Sequence, residues 1–482
     1  MKPERVGLFR HSTLLLLWLI AGGTQSVWPQ SDNAAKPEIQ QLQGKLELMQ
    51  TQMQQLKDEI VALQHAEQQP SATEVALQAP ATGTPVTEVA TQTQEPAAKP
   101  AAEATPPEKG TIEIYGFAML DSGYEWGQTD PNWFDVVRPT KLDSFPDEFA
   151  PDGKVYFSVR QSRFGVKTSN PTKFGDLKTI FEFELFGTGV DAGQTTFRLR
   201  HAYGELGHFG GGQYWSPFMD IDVFPNSVEY WGPTGMVFFR NVQFRWMPIK
   251  GKSRVTIALE RPGASADQGV YANRIELQGV KPKFDMPDIS FDARLGRSWG
   301  YFQVAGILRK ISWVDLNRTA ERDLSDTVWG WGINLSSNVK LGKSNTGRFQ
   351  VVGGEGIQNY MNDAPTDVGI ENNFSDPRKP IKGVPLPLVG VVAFVDHSWN
   401  EKFTSSVGYS LENIWNSDAQ AANAFHQGHY ALTNLLYSPI KNVMLGGEFQ
   451  WGRRVNFADG FNVNDYRVQF SFKVNFSKTF EY

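Results

Sequence analysis

The end of the chain has an almost strict period of two. In YRVQFSFKVNFSKTFEY (residues 466–482), one alternate set of residues is nearly all apolar and aromatic, and the other set is wholly polar. A period of two indicates a β-strand, but an ordinary strand has only about five or six residues. In hydrocarbon every backbone group must be paired, so a sheet can cross a membrane only when it closes into a barrel. A long strand with one apolar and one polar face fits such a barrel, with one face towards lipid and the other towards a wet lumen.

The composition agrees with membrane strands rather than membrane helices. Aromatic residues make up 13% of the chain, yet the mean hydropathy is −0.37. Beyond the N-terminus, no stretch reaches the roughly 18 apolar residues of a transmembrane helix. The net charge is −6 without a basic block, which argues against nucleic acid as a partner. The lack of cysteine excludes disulfides, thiolate metal sites and cysteine nucleophiles.

Alternating segments recur from Thr111 onwards, and about sixteen can be placed along the chain. Short connections such as SNPTK and SWG alternate with long polar ones around residues 125–152, 220–235, 262–287 and 358–385. This alternation is typical of outer-membrane barrels, which have tight periplasmic turns and long outer loops. The sequence therefore predicts an all-β transmembrane barrel of about 16 antiparallel strands over residues 111–482. A barrel of that size encloses an aqueous channel rather than a packed core.

Tryptophans near the strand ends predict two aromatic girdles at the membrane interfaces. Trp246, Trp299 and Trp399 are expected at the periplasmic ends, and Trp313, Trp329 and Trp451 towards the outer ends. Packing under a loop is the alternative for any one of them.

The N-terminus has the pattern of a secretory signal peptide, residues 1–30. Lys2, Arg5 and Arg10 precede the short apolar segment TLLLLWLIA, and cleavage is expected between Gly23 and Ala35. An N-terminal anchor is the alternative. The signal predicts export, and together with the barrel it predicts the bacterial outer membrane.

Two further segments separate the signal from the barrel. Within residues 37–66, apolar residues from Ile39 to Leu63 recur in steps of three and four, which predicts an α-helical coiled coil. Residues 67–110 are rich in Pro, Ala and Thr with almost no large apolar residue, which predicts a disordered linker. The coil is expected in the periplasm, where it can join chains or contact the cell wall, and its seam of Ile, Leu and Met is compatible with two strands or three.

Several stretches resemble bacterial general porins. IEIYGFAMLDSGYEW resembles their opening strand, SRFGVKTS their second strand, and RHAYGELGHFGGGQYWSPF the strand pair before their long third loop. The chain departs from the general pattern at Glu205, where these porins have an apolar or neutral residue. With the added coil and linker, the whole chain is similar to the DcaP-like trimeric porins. That resemblance implies a 16-stranded homotrimer that imports small anionic molecules such as dicarboxylates.

The polar faces of the predicted strands carry more basic than acidic residues. An arginine fork can hold a carboxylate through two hydrogen bonds. The predicted anion pathway consists of Arg163, Arg198, Arg200, Arg245, Arg254 and Arg294. Alternatively, some of these arginines only pair with Glu182, Glu184 or acidic residues of the third long loop.

The third long loop, DIDVFPNSVEYWGPTG, carries Asp220, Asp222, Glu229 and Tyr230. In the porins that the chain resembles, this loop folds into the barrel and narrows it. Acidic groups on the loop opposite arginines on the wall would create a transverse field, and charge and width together set selectivity.

Three motifs that resemble catalytic or metal sites fit other structures better. GRSWG matches G-x-S-x-G, but Ser298 lies in a predicted hairpin turn rather than before a helix. GKS lacks the upstream glycine of a P-loop, since Ser337 occupies that place. His426 and His429 lack a third ligand of clear spacing. No enzyme activity, cofactor or metal is therefore predicted.

The sequence favours a passive porin for small hydrophilic, preferentially anionic solutes, embedded in outer-membrane lipid. The alternatives are a structural or tethering protein of the outer membrane, which the coil favours, and a barrel enzyme such as a lipid hydrolase.

Overall fold

The structure, a computed structural model, describes residues 109–263 and 274–482. The predicted signal peptide and coiled coil, and the predicted linker up to residue 108, lie outside the described residues. Within the described part of the chain, no helix is long and apolar enough to cross a membrane.

The described residues form twenty β-strands, joined by irregular segments with five short 3-10 turns. The strands are β1 (Thr111–Glu125), β2 (Lys154–Ser158), β3 (Arg163–Asn170), β4 (Leu177–Phe186), β5 (Thr195–Leu206), β6 (Phe209–Trp215), β7 (Arg240–Ile249), β8 (Arg254–Glu260), β9 (Val280–Lys283), β10 (Asp288–Arg297), β11 (Gly300–Asp315), β12 (Asp326–Leu341), β13 (Asn345–Glu355), β14 (Val368–Asn372), β15 (Ile381–Pro385), β16 (Pro387–Ser398), β17 (Phe403–Ile414), β18 (Phe425–Tyr437), β19 (Val443–Asn456) and β20 (Asn462–Glu481).

Eighteen of these strands form one antiparallel sheet with sixteen positions around a closed barrel. β2 and β3 both pair with β1 and occupy one interrupted position. β9 and β10 likewise both pair with β11. β14 and β15 form a separate hairpin. The predicted 16-stranded antiparallel barrel is confirmed.

The C-terminal strand β20 closes the barrel. It is 20 residues long and pairs with β19 on one side and with β1 on the other. Its polar residues Arg467, Gln469 and Ser471 are at most 5% exposed, whereas Phe470 is 62% exposed on the opposite face. The length and the polar face of this strand therefore follow from its position between two long neighbours, with one side turned inwards.

Turns and loops alternate along the barrel. One end carries seven turns of two to six residues, and Ser298 and Ser344 lie in two of them. The other end carries eight loops: L1 (126–153), L2 (187–194), L3 (216–239), L4 (261–279, described at 261–263 and 274–279), L5 (316–325), L6 (356–386), L7 (415–424) and L8 (457–461). The four long connections predicted from the sequence correspond to L1, L3, L4 and L6.

Most of the predicted girdle tryptophans lie on the outer surface. Trp246, Trp299, Trp329 and Trp399 are between 45% and 63% exposed. Trp313 is the exception to the girdle prediction: it is only 2% exposed and packs with Leu277, Leu324 and Val368. Trp313 belongs to the alternate set of β11 residues whose side chains face inwards. Its indole N–H donates to the Leu324 carbonyl over 2.7 Å.

Loops L3 and L6 pack against inward-facing apolar residues instead of standing clear of the barrel. Phe218 and Met219 of L3 form one buried cluster with Ala305 of β11, Val352 of β13 and Tyr360 of L6. Burial of these side chains from water is favourable at roughly 25 cal/mol per Å² of apolar surface. This packing holds L3 inside the barrel, next to the charged residues of the wall.

Candidate ion pathway

L3 crosses the interior and bonds to several parts of the wall. Near its start, the Ser336 hydroxyl of β12 donates to Asp220 over 2.6 Å. Further along, the backbone N–H of Val228 donates to Glu448 of β19 over 3.1 Å, and that of Gly235 donates to Glu412 of β17 over 3.2 Å. These strands lie at different positions around the barrel, so the loop narrows the lumen.

Arg294 of β10 anchors the start of L3. Its guanidinium donates to Asp220 over 2.5 Å and also to Asp222, and it lies 3.7 Å from the centre of the Tyr301 ring. Asp220 is fully buried and also accepts from the Tyr301 hydroxyl over 2.7 Å. Charge-assisted hydrogen bonds of this kind are about twice as strong as neutral ones. Arg294 thus fixes L3 to the wall.

A second cluster joins β3, β4, β5 and β7. It contains two glutamates and four arginines: Glu182, Glu184, Arg163, Arg198, Arg200 and Arg240. Arg200 is buried and donates to each glutamate over 2.6 Å. The other three arginines lie between 3.5 and 3.7 Å from a glutamate oxygen. With four positive and two negative groups, this cluster carries a formal excess of two positive charges.

L3 also reaches this cluster. The Tyr230 hydroxyl donates to Glu184, and the Tyr230 ring stacks on Phe186 with 3.9 Å between ring centres. The side chains of Arg163 and Arg198 retain 20% and 22% exposure. Among the arginines of the predicted pathway that belong to this cluster, these two remain the most accessible.

The remaining predicted arginines lie apart from this cluster. Arg254 is 2.7 Å from Asp292 and shares the Gln303 side-chain oxygen with Arg294, each at 2.8 Å. Arg245 bonds to Gln243 and to the Trp215 carbonyl. The six predicted arginines are therefore distributed over several groups, most of them paired with acids, rather than along one continuous wall.

The acidic residues of L3 have different surroundings. Asp220 and Asp222 face Arg294, whereas Glu229 accepts from the backbone N–H groups of Val137, over 3.1 Å, and Gly232. Burial, together with the nearby Glu448 carboxylate, raises the pKa of Glu229 to about 8, although these backbone donors oppose the shift. Glu229 thus connects L3 to L1 and is not part of an arginine pair.

A cavity of about 450 Å³ lies beside the second cluster. Four arginines line it: Arg138, Arg198, Arg240 and Arg274. Sequence reasoning selected only Arg198. Arg138 and Arg274 lie in loops, where the sequence has no periodicity. Arg240 belongs to the same alternate set of β7 residues as the outward-facing Val242 and Phe244. The sequence signal that could have indicated these three arginines was the number of arginines in the loops beside β5.

The two histidines considered as metal ligands have other partners. His426 bonds to Asn416 over 2.9 Å, and His429 to the Tyr409 hydroxyl over 2.5 Å. Within the described ranges, no group of three or more metal-ligating side chains is assembled.

Comparison with known proteins agrees with this architecture. The family model of the DcaP outer membrane protein matches residues 99–476. The outer membrane channel DcaP of Acinetobacter baumannii is 18% identical with a TM-score of 0.61, over 78% of this chain and 100% of that chain. An anion-selective porin from Comamonas acidovorans is 11% identical with a TM-score of 0.51, over 76% of this chain and 100% of that chain. No curated protein sequence matches the chain.

At these identities, the two solved structures establish a shared porin fold, and both are channels rather than enzymes. The family match extends over most of the chain. The chain therefore belongs to the DcaP outer membrane protein family.

Proposed function

We propose that this outer-membrane porin passes small hydrophilic solutes by diffusion and prefers anions of the carboxylate type. The observation that carries the proposal is the cluster on β3, β4, β5 and β7, in which four arginines share two glutamates. Charged groups at a narrow point select the ions that pass it. The excess positive charge, with Arg163 and Arg198 still partly exposed, favours anions.

In this proposal the arginines have two roles. Arg200 and Arg294 are buried in close ion pairs and hold the wall and L3 in place. Arg163, Arg198 and Arg254, which are between 20% and 34% exposed, offer donors to a passing carboxylate. Weak, successive contacts suit a channel, because an ion must be able to leave each of them.

The proposed assembly is a homotrimer in outer-membrane lipid, with the coiled coil of residues 37–66 in the periplasm. The heptad pattern supports association of several chains. Large apolar side chains on β2 and β5 also support a partner surface, since Phe157 is 68% exposed and Phe197 is 79% exposed. A contact of the coil with the cell wall is compatible with the same arrangement.

The test is the reversal potential of purified protein in a planar bilayer under a salt gradient. The wild type should give an anion-directed potential, and the double variant Arg163→Gln/Arg198→Gln should lose most of that preference. Arg453→Gln is the matched control, since Arg453 has the outward parity of β19 and bonds to Asn462. A wild-type cation preference, or an unchanged potential in the double variant, would overturn the proposal.

A further inference from the structure

The cavity beside β5 exists because the barrel wall is incompletely paired there. β6 pairs with β5 from Ala202 to Leu206, and no other described residues form a strand beside the outer part of β5 on that side. Gln213 of β6 compensates in part, since its side-chain amide donates to the carbonyls of Leu199 and Arg200 over 3.2 and 3.1 Å. The resulting space of about 450 Å³ is within the range of small-molecule binding pockets.

The charge of the cavity lining is strongly positive. Among the described lining residues, the four arginines are accompanied by one acid, Asp191. Arg138 is already neutralised by Asp363 at 2.8 Å and lies against the rings of Trp133 and Trp231, 4.0 and 4.1 Å from their centres. The other three arginines lack so close a carboxylate partner among the described residues, so the lining favours an anion.

Two of these arginines carry buried donor groups without an acceptor in the described structure. Arg240 and Arg274 are each 7% exposed. The Nη1 of Arg240 and the Nε of Arg274 have no hydrogen-bond partner there. A buried donor without an acceptor is unfavourable, and more so when it is charged. A ligand that supplies acceptors at both places would remove this cost.

The rest of the lining suits an aromatic body. Leu199, Tyr230, Phe238, Phe239 and Met361 contribute apolar surface to the same cavity. Tyr230 is held by its stacking on Phe186, so this part of the wall is preorganised. A small aliphatic anion would leave most of this surface in contact with water, whereas a flat ring system would cover it.

We propose that this cavity binds an aromatic carboxylate, whose carboxylate contacts Arg240 and whose ring lies among the apolar residues of L3, β5 and L6. The Nε of Arg274 donates to an oxygen substituent at another point of the ring system. The inference rests on the proposed function, because it assigns to the cavity a ligand of the same carboxylate class. It also deepens that function, since a saturable site makes transport selective for one class of anion.

The probe for this site is 6-hydroxy-2-naphthoate, whose fluorescence anisotropy is measured with purified protein in detergent. The wild type should bind it saturably, whereas the neutral 6-hydroxy-2-naphthamide and the small dianion succinate should compete at least tenfold less well. Arg240→Gln should weaken binding by more than about tenfold, the worth of a charge-assisted hydrogen bond. Arg274→Gln should weaken binding of the hydroxynaphthoate more than binding of 2-naphthoate.

Two further variants separate the site from damage to the fold. Arg454→Gln is the matched control, because Arg454 also bonds to loop carbonyls but lies outside the cavity lining. It should leave the affinity unchanged. Asp191→Asn should strengthen binding, since it removes the one lining acid, and misfolding cannot produce that gain.

Equal affinity of the wild type and Arg240→Gln, or equal competition by succinate, would overturn the inference. The reversal potential of the same wild-type preparation keeps the two proposals distinguishable. Anion preference without naphthoate binding rejects only the cavity ligand, whereas cation preference rejects the proposed function.

Discussion

Arg294→Gln should release the start of L3 from the barrel wall. The substitution leaves Asp220, which is fully buried, without its ionic partner. Removal of one member of a buried ion pair costs about 3–5 kcal/mol. The low end of that range applies, because Tyr301 and Ser336 still donate to Asp220. A cost of about 3 kcal/mol corresponds to a roughly 100-fold larger population of the detached loop.

Hydrogen exchange of the backbone amides in residues 216–239 measures this population directly. Exchange near Asp220 should become about 100-fold faster in Arg294→Gln, and the bilayer current should show larger or noisier steps. Arg254→Gln is the matched control, since Arg254 pairs with Asp292 of the wall and not with L3. The double variant Asp220→Asn/Arg294→Gln should recover part of the protection. Unchanged exchange in Arg294→Gln, or purely additive effects in the double variant, would refute the anchoring role.

Two other predictions concern the junction of L3 with L1 and the N-terminal segments. The raised pKa of Glu229, about 8 against an ordinary value near 4.3, means that its stabilising contribution is fully present below about pH 4 and is lost as the pH rises through 8. The melting temperature of the wild type should therefore fall from pH 5 to pH 8.5 more steeply than that of Glu229→Gln, and equal slopes would contradict the prediction. Deletion of residues 37–110 should weaken the trimer in native gels and leave the single-channel conductance unchanged, whereas a changed conductance would place the coil or linker in the pathway.

The architecture could be predicted from the sequence because a membrane barrel imposes its pattern on every strand. Each crossing strand must present an apolar face to lipid, so the period of two survives along β20 and β12. Loop lengths also follow directly from the spacing of these segments. The girdle prediction was wrong for Trp313 because this residue belongs to the inward-facing alternate set of β11 and is covered by L5 and L6. The prediction used its place near the strand end and not its place in the alternation.

The partners of the site residues were harder to predict, because they depend on register. The pairing of β4 with β5 shifts between Glu182 and Phe183 and again between Glu184 and Phe186. These irregularities bring Arg200 within hydrogen-bond distance of both glutamates. Alternation indicates which side of a strand a residue occupies, but a bulge decides which neighbour it meets.

The incomplete pairing of β5 connects the constriction and the cavity physically. L3 leaves β6 at residue 216 and runs inside the barrel, so β6 ends before it can cover the outer part of β5. The unpaired edge of β5 then needs other hydrogen-bond partners, and the side-chain amide of Gln213 donates to two of its carbonyls. Arg198 and Arg200 lie on this part of β5, and Arg240 begins the strand that follows L3. The inward fold of one loop thus narrows the lumen and, at the same place, opens a positively charged recess in its wall.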